Sequence, residues 1–202
     1  MYNGESNLER TILSVINQEF KDFEYIIIDG GSSDNTLSII NKYDHLIDFW
    51  ISEKDNGIYD AMNKGVSFSN GEYIQFLNSG DLFVSNFTLD LASKFMVKPY
   101  KIFIFDYIMG EKVYTFNSNF ISLLKGTPCH QALFYELSFL KNNPFSLNYK
   151  ICADYFNFLE AYFVFETKNI NQNLVVYDLN GISSSFSSKR IIRLERLKIV
   201  GY

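Results

Sequence analysis

Residues 23–36 read FEYIIIDGGSSDNT, an order of residue types that predicts a strand, a tight turn and the start of a helix. Residues 23–28 are a short apolar segment rich in isoleucine, the pattern of a strand buried on both faces of a parallel sheet. Asp29 ends it. Gly30 and Gly31 with the Ser/Asp cluster supply the strand-to-helix turn, with Ser32 or Ser33 as N-cap of a helix over 34–43. Upstream, Leu8, Ile12, Leu13, Val15 and Ile16 recur at helical spacing. Downstream the pattern repeats: a strand over 47–52, the loop EKDNG, and a helix with Ile58, Ala61, Met62 and Val66 on one face. A strand over 72–77 then runs into Asn78-Ser79-Gly80-Asp81. Strands alternating with helices predict βαβ units, an α/β class and a mainly parallel sheet.

The second half is less regular. It predicts a helix over 86–97, strands over 101–107 and 112–116, a strand in HQALFY (130–135), an aromatic-rich helix over 151–163 and a late strand in NLVVYDL (173–179). No repeat, Pro-rich linker or low-complexity block divides the chain, so one domain over residues 1–202 is expected.

A chain of 202 residues with 47% hydrophobic and 17% aromatic content can bury about 70% of its unfolded surface. The net charge of -5 argues against a nucleic-acid-binding surface. Cys129 and Cys152 form neither a disulfide framework nor a CxxC pair, which points to a reducing, cytoplasmic setting. The apolar runs fall short of the ~20 residues that cross a bilayer, and MYNGESNLER has no signal-peptide core.

Ligands of open α/β sheets bind beyond the carboxyl ends of parallel strands, and three acidic loops fall there. Asp29 ends the first strand, Glu53 and Asp55 follow the second, and Asp81 follows the third. Such carboxylates repel each other unless a cation or hydrogen-bond donors compensate, and Mg²⁺ or Mn²⁺ with phosphate oxygens and water suits them. An acid after a strand is also a common turn former or helix cap. Asp34, Asp44 and Asp90 read as solvated charges.

Two stretches, YNGESNLERTILSVINQEFKDFEYIIIDGGSSDNT and WISEKDNGIYDAMNKGVSFSNGEYIQFLNSGDLF, resemble the family 2 glycosyltransferases of the GT-A fold, particularly bacterial enzymes of capsule, exopolysaccharide and lipopolysaccharide synthesis. The resemblance implies an inverting transferase that moves a sugar from a nucleotide-diphosphate donor to a hydroxyl of a glycan or lipid-linked acceptor. It also implies a donor half over 1–98 and an acceptor half over 99–202. Asp29, Asp55, Asn63 and Lys64 would meet the nucleotide sugar, and Asp81 would hold the divalent ion. Asp154, in KICADYFNFLE, would be the catalytic base. As a plain carboxylate it is a weak base unless its surroundings raise its pKa, and it also reads as a first-turn acid favoured by the helix dipole. His130 in TPCHQALF would line the acceptor side, and LNGISS (179–184) resembles a segment near the acceptor. Tyr59 also matches the family, and Cys129 reads as core.

Departures from the family are specific. Its members normally begin with an apolar strand that Met1-Tyr2-Asn3 does not supply, so a missing first strand, an exposed edge and self-association are expected. Gly30 stands where many members carry a second Asp, and Gly80 where many carry the first acid of the metal motif. These glycines motivate an alternative, a catalytically weak nucleotide-sugar-binding or scaffold subunit. A sugar nucleotidyltransferase is disfavoured, because no Gly-rich N-terminal loop with a basic residue is present. The tail SSKRIIRLERLKIVGY is a basic amphipathic helix suited either to peripheral membrane contact or to packing on the domain.

Overall fold

The computed structural model describes residues 1–117, 119, 122–123, 126–179, 186–199 and 201. Helix α1 (Leu8–Ile16) buries Leu8, Ile12 and Val15 and leaves Leu13 outside, as an i, i+4, i+7 stripe requires. Strands β1 (Ile26–Asp29) and β2 (Phe49–Ser52) flank α2 (Thr36–Lys42) and pair in parallel, with Ile26 beside Phe49 and Asp29 beside Ser52. Leu8, Ile12, Ile27, Ile40 and Ile47 form the core beneath them. Helix α3 (Ile58–Phe68) turns Tyr59, Met62 and Val66 inward.

The remaining strands are β3 (Tyr73–Ile74), β4 (Leu82–Phe83), β5 (Ile102–Met109), β6 (Lys112–Tyr114), β7 (Leu133–Glu136) and β8 (Thr167–Tyr177). They form a second sheet in the order β3-β7-β5-β8-β4, with β6 on β5. The expectation of a mainly parallel sheet is corrected here. Only β1–β2 and β5–β8 are parallel, while β3–β7, β5–β7, β5–β6 and β4–β8 are antiparallel. Among its antiparallel pairs, β3–β7 and β4–β8 involve two-residue strands, too short to show a periodicity.

β5 is the spine. Its alternation sends Ile102 and Ile104 into a core with Tyr59, Tyr135 and Phe158, and Phe103 and Phe105 into another with Val15, Phe134 and Val175. The second core joins residues from both sides of position 98, and truncating a buried Phe such as Phe103 to Ala costs about 3–5 kcal/mol. Helices α4 (Thr88–Ser93), α5 (Leu137–Asn142), α6 (Ala153–Val164) and α7 (Phe186–Ile199) complete the fold.

Several local expectations shift. The helix expected over 86–97 is shortened to α4. Residues 130–132 form a 3₁₀ turn, so the strand begins at Leu133. Neither Ser32 nor Ser33 caps α2; Asp34 does this work, accepting from the Thr36 N–H (3.0 Å) and hydroxyl (2.5 Å). LNGISS beyond Leu179 lies outside the described residues.

Among the described residues no strand lies between β1 and β3. Met1 alone pairs there, its ammonium donating to Ile28 O (2.7 Å) and its carbonyl accepting from Gly30 N–H (2.7 Å), one rung of a parallel ladder. Beyond that rung the edges at Ile26–Ile28 and Tyr73–Leu77 face a common cleft of about 1610 Å³.

Candidate active site

The cleft runs from this gap to the ends of β2 and β8, the turn after β3 and the start of α6. Its polar wall begins at residues 78–81. Asp81 N–H donates to Asn78 O (3.0 Å), and Gly80 adopts φ +106°, open to glycine and strained for other residues. Thr11 clamps the turn from α1, accepting from Gly80 N–H (2.9 Å) and donating to Asp81 O (3.0 Å).

Asp81 is buried with both oxygens engaged. Oδ1 accepts from Asp178 N–H (2.7 Å) and Oδ2 from Gln131 Nε2 (2.8 Å). Burial pushes its pKa above the ordinary carboxylate value, with a smaller push from the Asp178 charge. The Asp178 N–H, Gln131 and His130 oppose the rise.

The neighbouring residue in the 3₁₀ turn points the other way. His130 Nε2 accepts from Asn78 Nδ2 (3.2 Å), which leaves Nδ1–H to donate to Asp154 Oδ2 (3.3 Å). Asp154 Oδ1 accepts from Tyr155 N–H (2.9 Å) and lies 2.9 Å from the Tyr59 hydroxyl, whose one proton is shared with Ile151 O (2.5 Å). Burial and the Asp154 charge drive the Tyr59 phenol far above its usual range, so it stays a donor. The His130-Gln131 pair is therefore a two-pronged bridge between Asp154 and Asp81.

Asp154 opens α6, whose N-terminus is capped from another helix. Glu195 of α7 accepts the N–H groups of Lys150 (2.7 Å), Ile151 (3.1 Å) and Cys152 (2.9 Å), a carboxylate against the positive end of the dipole. With Arg196 stacked 5.4 Å from the Tyr155 ring centre, this makes α7 a packed helix, so the packing reading of the tail holds for this side.

The other predicted positions divide. Asp55 lines the cleft, accepts from Gly57 N–H (2.9 Å) and lies over Gly30, where a Cβ would stand 2.4 Å from its Oδ2. Asp29 is fully buried and does not line the cleft. Its carboxylate accepts from Gly31 N–H (3.1 Å), Ser32 N–H (2.9 Å), Ser32 Oγ (2.5 Å) and Ser52 Oγ (2.7 Å), which builds the turn. Burial raises its pKa, but the serine bonds and the Met1 ammonium outweigh this and hold it below the ordinary value.

Asn63 and Lys64, expected at the donor, do not line the cleft. Asn63 binds Phe145 through both ends of its amide, donating to O (2.9 Å) and accepting from N–H (2.8 Å). Lys64 pairs with Glu53 (2.9 Å). Asp34 and Asp44 are not merely solvated: Asp34 caps α2, and Asp44 accepts from the Trp50 indole (2.6 Å). Cys129 is half-buried and packs against the second core, and burial of its sulfur pushes the thiol up to about 12.

Sequence reasoning missed Thr11, Asn78, Gln131, Asp178 and Glu195. Asp178 had a readable signal, because it follows an apolar strand just as Asp81 does.

The donor set fits a small hard cation. No group of three or more His, Cys, Asp or Glu side chains among the described residues forms a closed cage. Asp81 and Asp178 offer carboxylates, the Asp178 carboxylate fills the space beside Gly80, and the buried Ser79 Oγ has no hydrogen-bond partner. Few protein oxygens, with phosphate and water completing the shell, is the usual coordination of Mg²⁺ or Mn²⁺.

The sequence profile described as Glycosyl transferase family 2 matches residues 1–156. A Mycobacterium tuberculosis (H37Rv) protein described as an uncharacterized glycosyltransferase is 31% identical over 194 residues, covering 91% of this chain and 74% of its own. A PGL/p-HBAD biosynthesis glycosyltransferase of Mycobacterium bovis (BCG) is 33% identical over 153 residues, covering 70% and 59%. Among solved structures, S. aureus TarS 1–349 with UDP-GlcNAc has a TM-score of 0.79 at 20% identity, over 99% of this chain and 64% of that one. The mannosyltransferase PcManGT of Pyrobaculum calidifontis, solved with GDP-Man and Mn²⁺, has a TM-score of 0.75 at 15% identity, over 98% and 59%. The chain spans less than two thirds of either solved chain. At those identities they speak for the fold, the GT-A arrangement that the sequence implied. The sequence matches carry the assignment: the chain belongs to glycosyl transferase family 2 and is a glycosyltransferase.

Proposed function

We propose that this chain transfers a sugar from a nucleotide-diphosphate donor to a hydroxyl of a glycan or lipid-linked acceptor, with inversion at the anomeric carbon. The observation that carries the reading is the hydrogen-bonded path from Asp81 through the Gln131-His130 turn to Asp154, which fixes two carboxylates on one wall of one cleft. Asp154 is the base. Its carboxylate takes the acceptor proton as the acceptor oxygen bonds to C1 of the sugar. The bond from C1 to the diphosphate oxygen breaks on the opposite face, and its electron pair leaves with the diphosphate. One base is enough, because no second carboxylate is consumed as a nucleophile.

His130 Nδ1–H and Tyr155 N–H hold the two oxygens of Asp154, which lines the cleft. Asp55 reaches the same cleft from the end of β2 and suits donor hydroxyls. A divalent cation held beside Asp81, Mg²⁺ or Mn²⁺, would neutralise charge on the departing diphosphate. TarS solved with UDP-GlcNAc and PcManGT solved with GDP-Man and Mn²⁺ support this class of donor and cofactor. The similarity to a PGL/p-HBAD biosynthesis glycosyltransferase supports sugar transfer within a biosynthetic sequence. No helix among the described residues is long and apolar enough to cross a membrane.

The burial of Asp81 favours a second reading, a donor-binding subunit with little turnover. Incubation with UDP-, GDP- and dTDP-sugars and Mn²⁺ separates the two. The transferase reading expects one donor to raise the melting temperature and to be consumed in the presence of a hydroxyl acceptor. The binding reading expects the thermal shift alone. No shift with any donor would overturn both.

A further inference from the structure

We infer that Asp178 supplies the second carboxylate of the cation and diphosphate site, reaching from the end of β8 into the space that a side chain at position 80 would fill. The inference rests on the donor reading above and adds a residue to it. The register makes the placement systematic. β4 and β8 pair antiparallel with Leu82 opposite Val176 and Phe83 opposite Val175, and the same register continued past the strands sets Asp178 across from Gly80. A Cβ built on Gly80 would lie 2.5 Å from Asp178 Oδ2, 3.1 Å from its Cβ and 3.2 Å from its Cγ. The Asp178 side chain therefore occupies the place of the missing one.

The same exchange occurs at the other glycine of the site. A Cβ on Gly30 would meet Asp55 Oδ2 at 2.4 Å. In both cases glycine removes a side chain from one loop, and a carboxylate from a facing element enters its space. Two instances on one cleft make this an arrangement of acids rather than a loss of them.

Asp178 is also held in place. Its N–H donates to Asp81 Oδ1 (2.7 Å), which ties the two acids at the backbone of one and the side chain of the other. Asn7, at the start of α1, donates from Nδ2 to Asp178 Oδ2 (3.2 Å) and sets the direction of the carboxylate. The contribution from β8 brings the oxygens for one cation from two separate strand ends.

The experiment is Mn²⁺ binding by electron paramagnetic resonance, with UDP and with GDP added separately, on the full chain. Asp178→Asn keeps the shape and the N–H that Asp81 needs. It is expected to weaken nucleotide-dependent Mn²⁺ binding about 10–100-fold. Asp178→Glu, which keeps a carboxylate at the end of β8, is expected to retain more of that binding than Asp178→Asn. Wild-type affinity in Asp178→Asn, together with loss in Asp81→Asn, would overturn the inference and leave the donor reading intact. Absence of nucleotide-dependent Mn²⁺ binding in the wild type would overturn the donor reading itself, and this inference with it.

Discussion

Replacing Gln131 by Met tests the polar bridge through its energetics. The substitution keeps the length and bulk of a side chain that is only 2% exposed, and it removes the amide that donates to Asp81 Oδ2 at 2.8 Å. Asp81 is itself 2% exposed, so water does not readily replace the lost donor. A hydrogen bond to a charged group contributes about 1.5–3 kcal/mol, so a loss of about 2 kcal/mol is expected near neutral pH. In a chain of this size that lowers the melting temperature by about 4–8 °C.

The penalty has a pH signature. Asp81 has a folded pKa above its unfolded value, because burial and then the Asp178 charge outweigh its donors. Such a group destabilises the fold when ionised, and the destabilisation is relieved as pH falls through the folded pKa toward 3.8. Losing Gln131 raises the folded pKa further. The difference between wild type and variant is therefore larger at neutral pH than at about pH 4, because it shrinks as pH falls through the raised folded values toward 3.8. Urea unfolding in EDTA at both pH values measures it, and titrations common to the two proteins cancel. A difference under about 0.5 kcal/mol at neutral pH, or one of equal size at both, would refute the bridge as an ionic hydrogen bond.

Three further outcomes follow from the geometry. Ser52→Ala removes one donor to Asp29, whose pKa is held below its ordinary value. Its contribution of about 1 kcal/mol is present above about pH 3.8 and lost as pH falls through the lower folded value, so a chemical-unfolding difference that persists in strong acid would contradict it. An extension of about four β-branched residues ahead of Met1 should continue the parallel rung along Ile28, Ile27 and Ile26. It should raise the melting temperature, whereas the same extension interrupted by proline should not. On the outer side of α7, Lys189, Arg190 and Arg193 are exposed with Leu194 and Leu197. Arg190→Ala with Arg193→Ala should cut binding to anionic vesicles roughly 25-fold in a sedimentation assay, and unchanged partitioning would remove the membrane role.

What could be read from the sequence follows the range of the interactions. β1, β2, α1 and α3 are written in local patterns, such as the isoleucine run at 26–28 and the Leu8/Ile12/Val15 stripe. The antiparallel part of the second sheet is not. β3 and β4 are two residues long, and their partners are 61 residues or more away in sequence, so tertiary pairing decides them. The rule of acids at strand ends found Asp55 and Asp81 in the cleft. It also selected Asp29, whose carboxylate is turned into its own loop by four donors, a direction that spacing does not encode. Asn63 and Lys64 matched the family by position, yet α3 aims Asn63 at the Phe145 backbone and Lys64 at Glu53. Gln131 could not be recognised from sequence, because its meaning lies in a partner 50 residues away. Asp178 satisfied the same strand-end rule, but only the β4–β8 register shows which glycine it faces.

The central claim is that Asp154 is the base of an inverting transfer, and its most direct test is turnover by Asp154→Asn under saturating donor and Mn²⁺. The expected result is a fall in kcat of about 10²–10⁴-fold, with donor affinity unchanged and the residual wild-type product of inverted anomeric configuration by NMR. An Asp154→Asn enzyme that turns over within tenfold of wild type, or a wild-type product with retained configuration, would contradict the account.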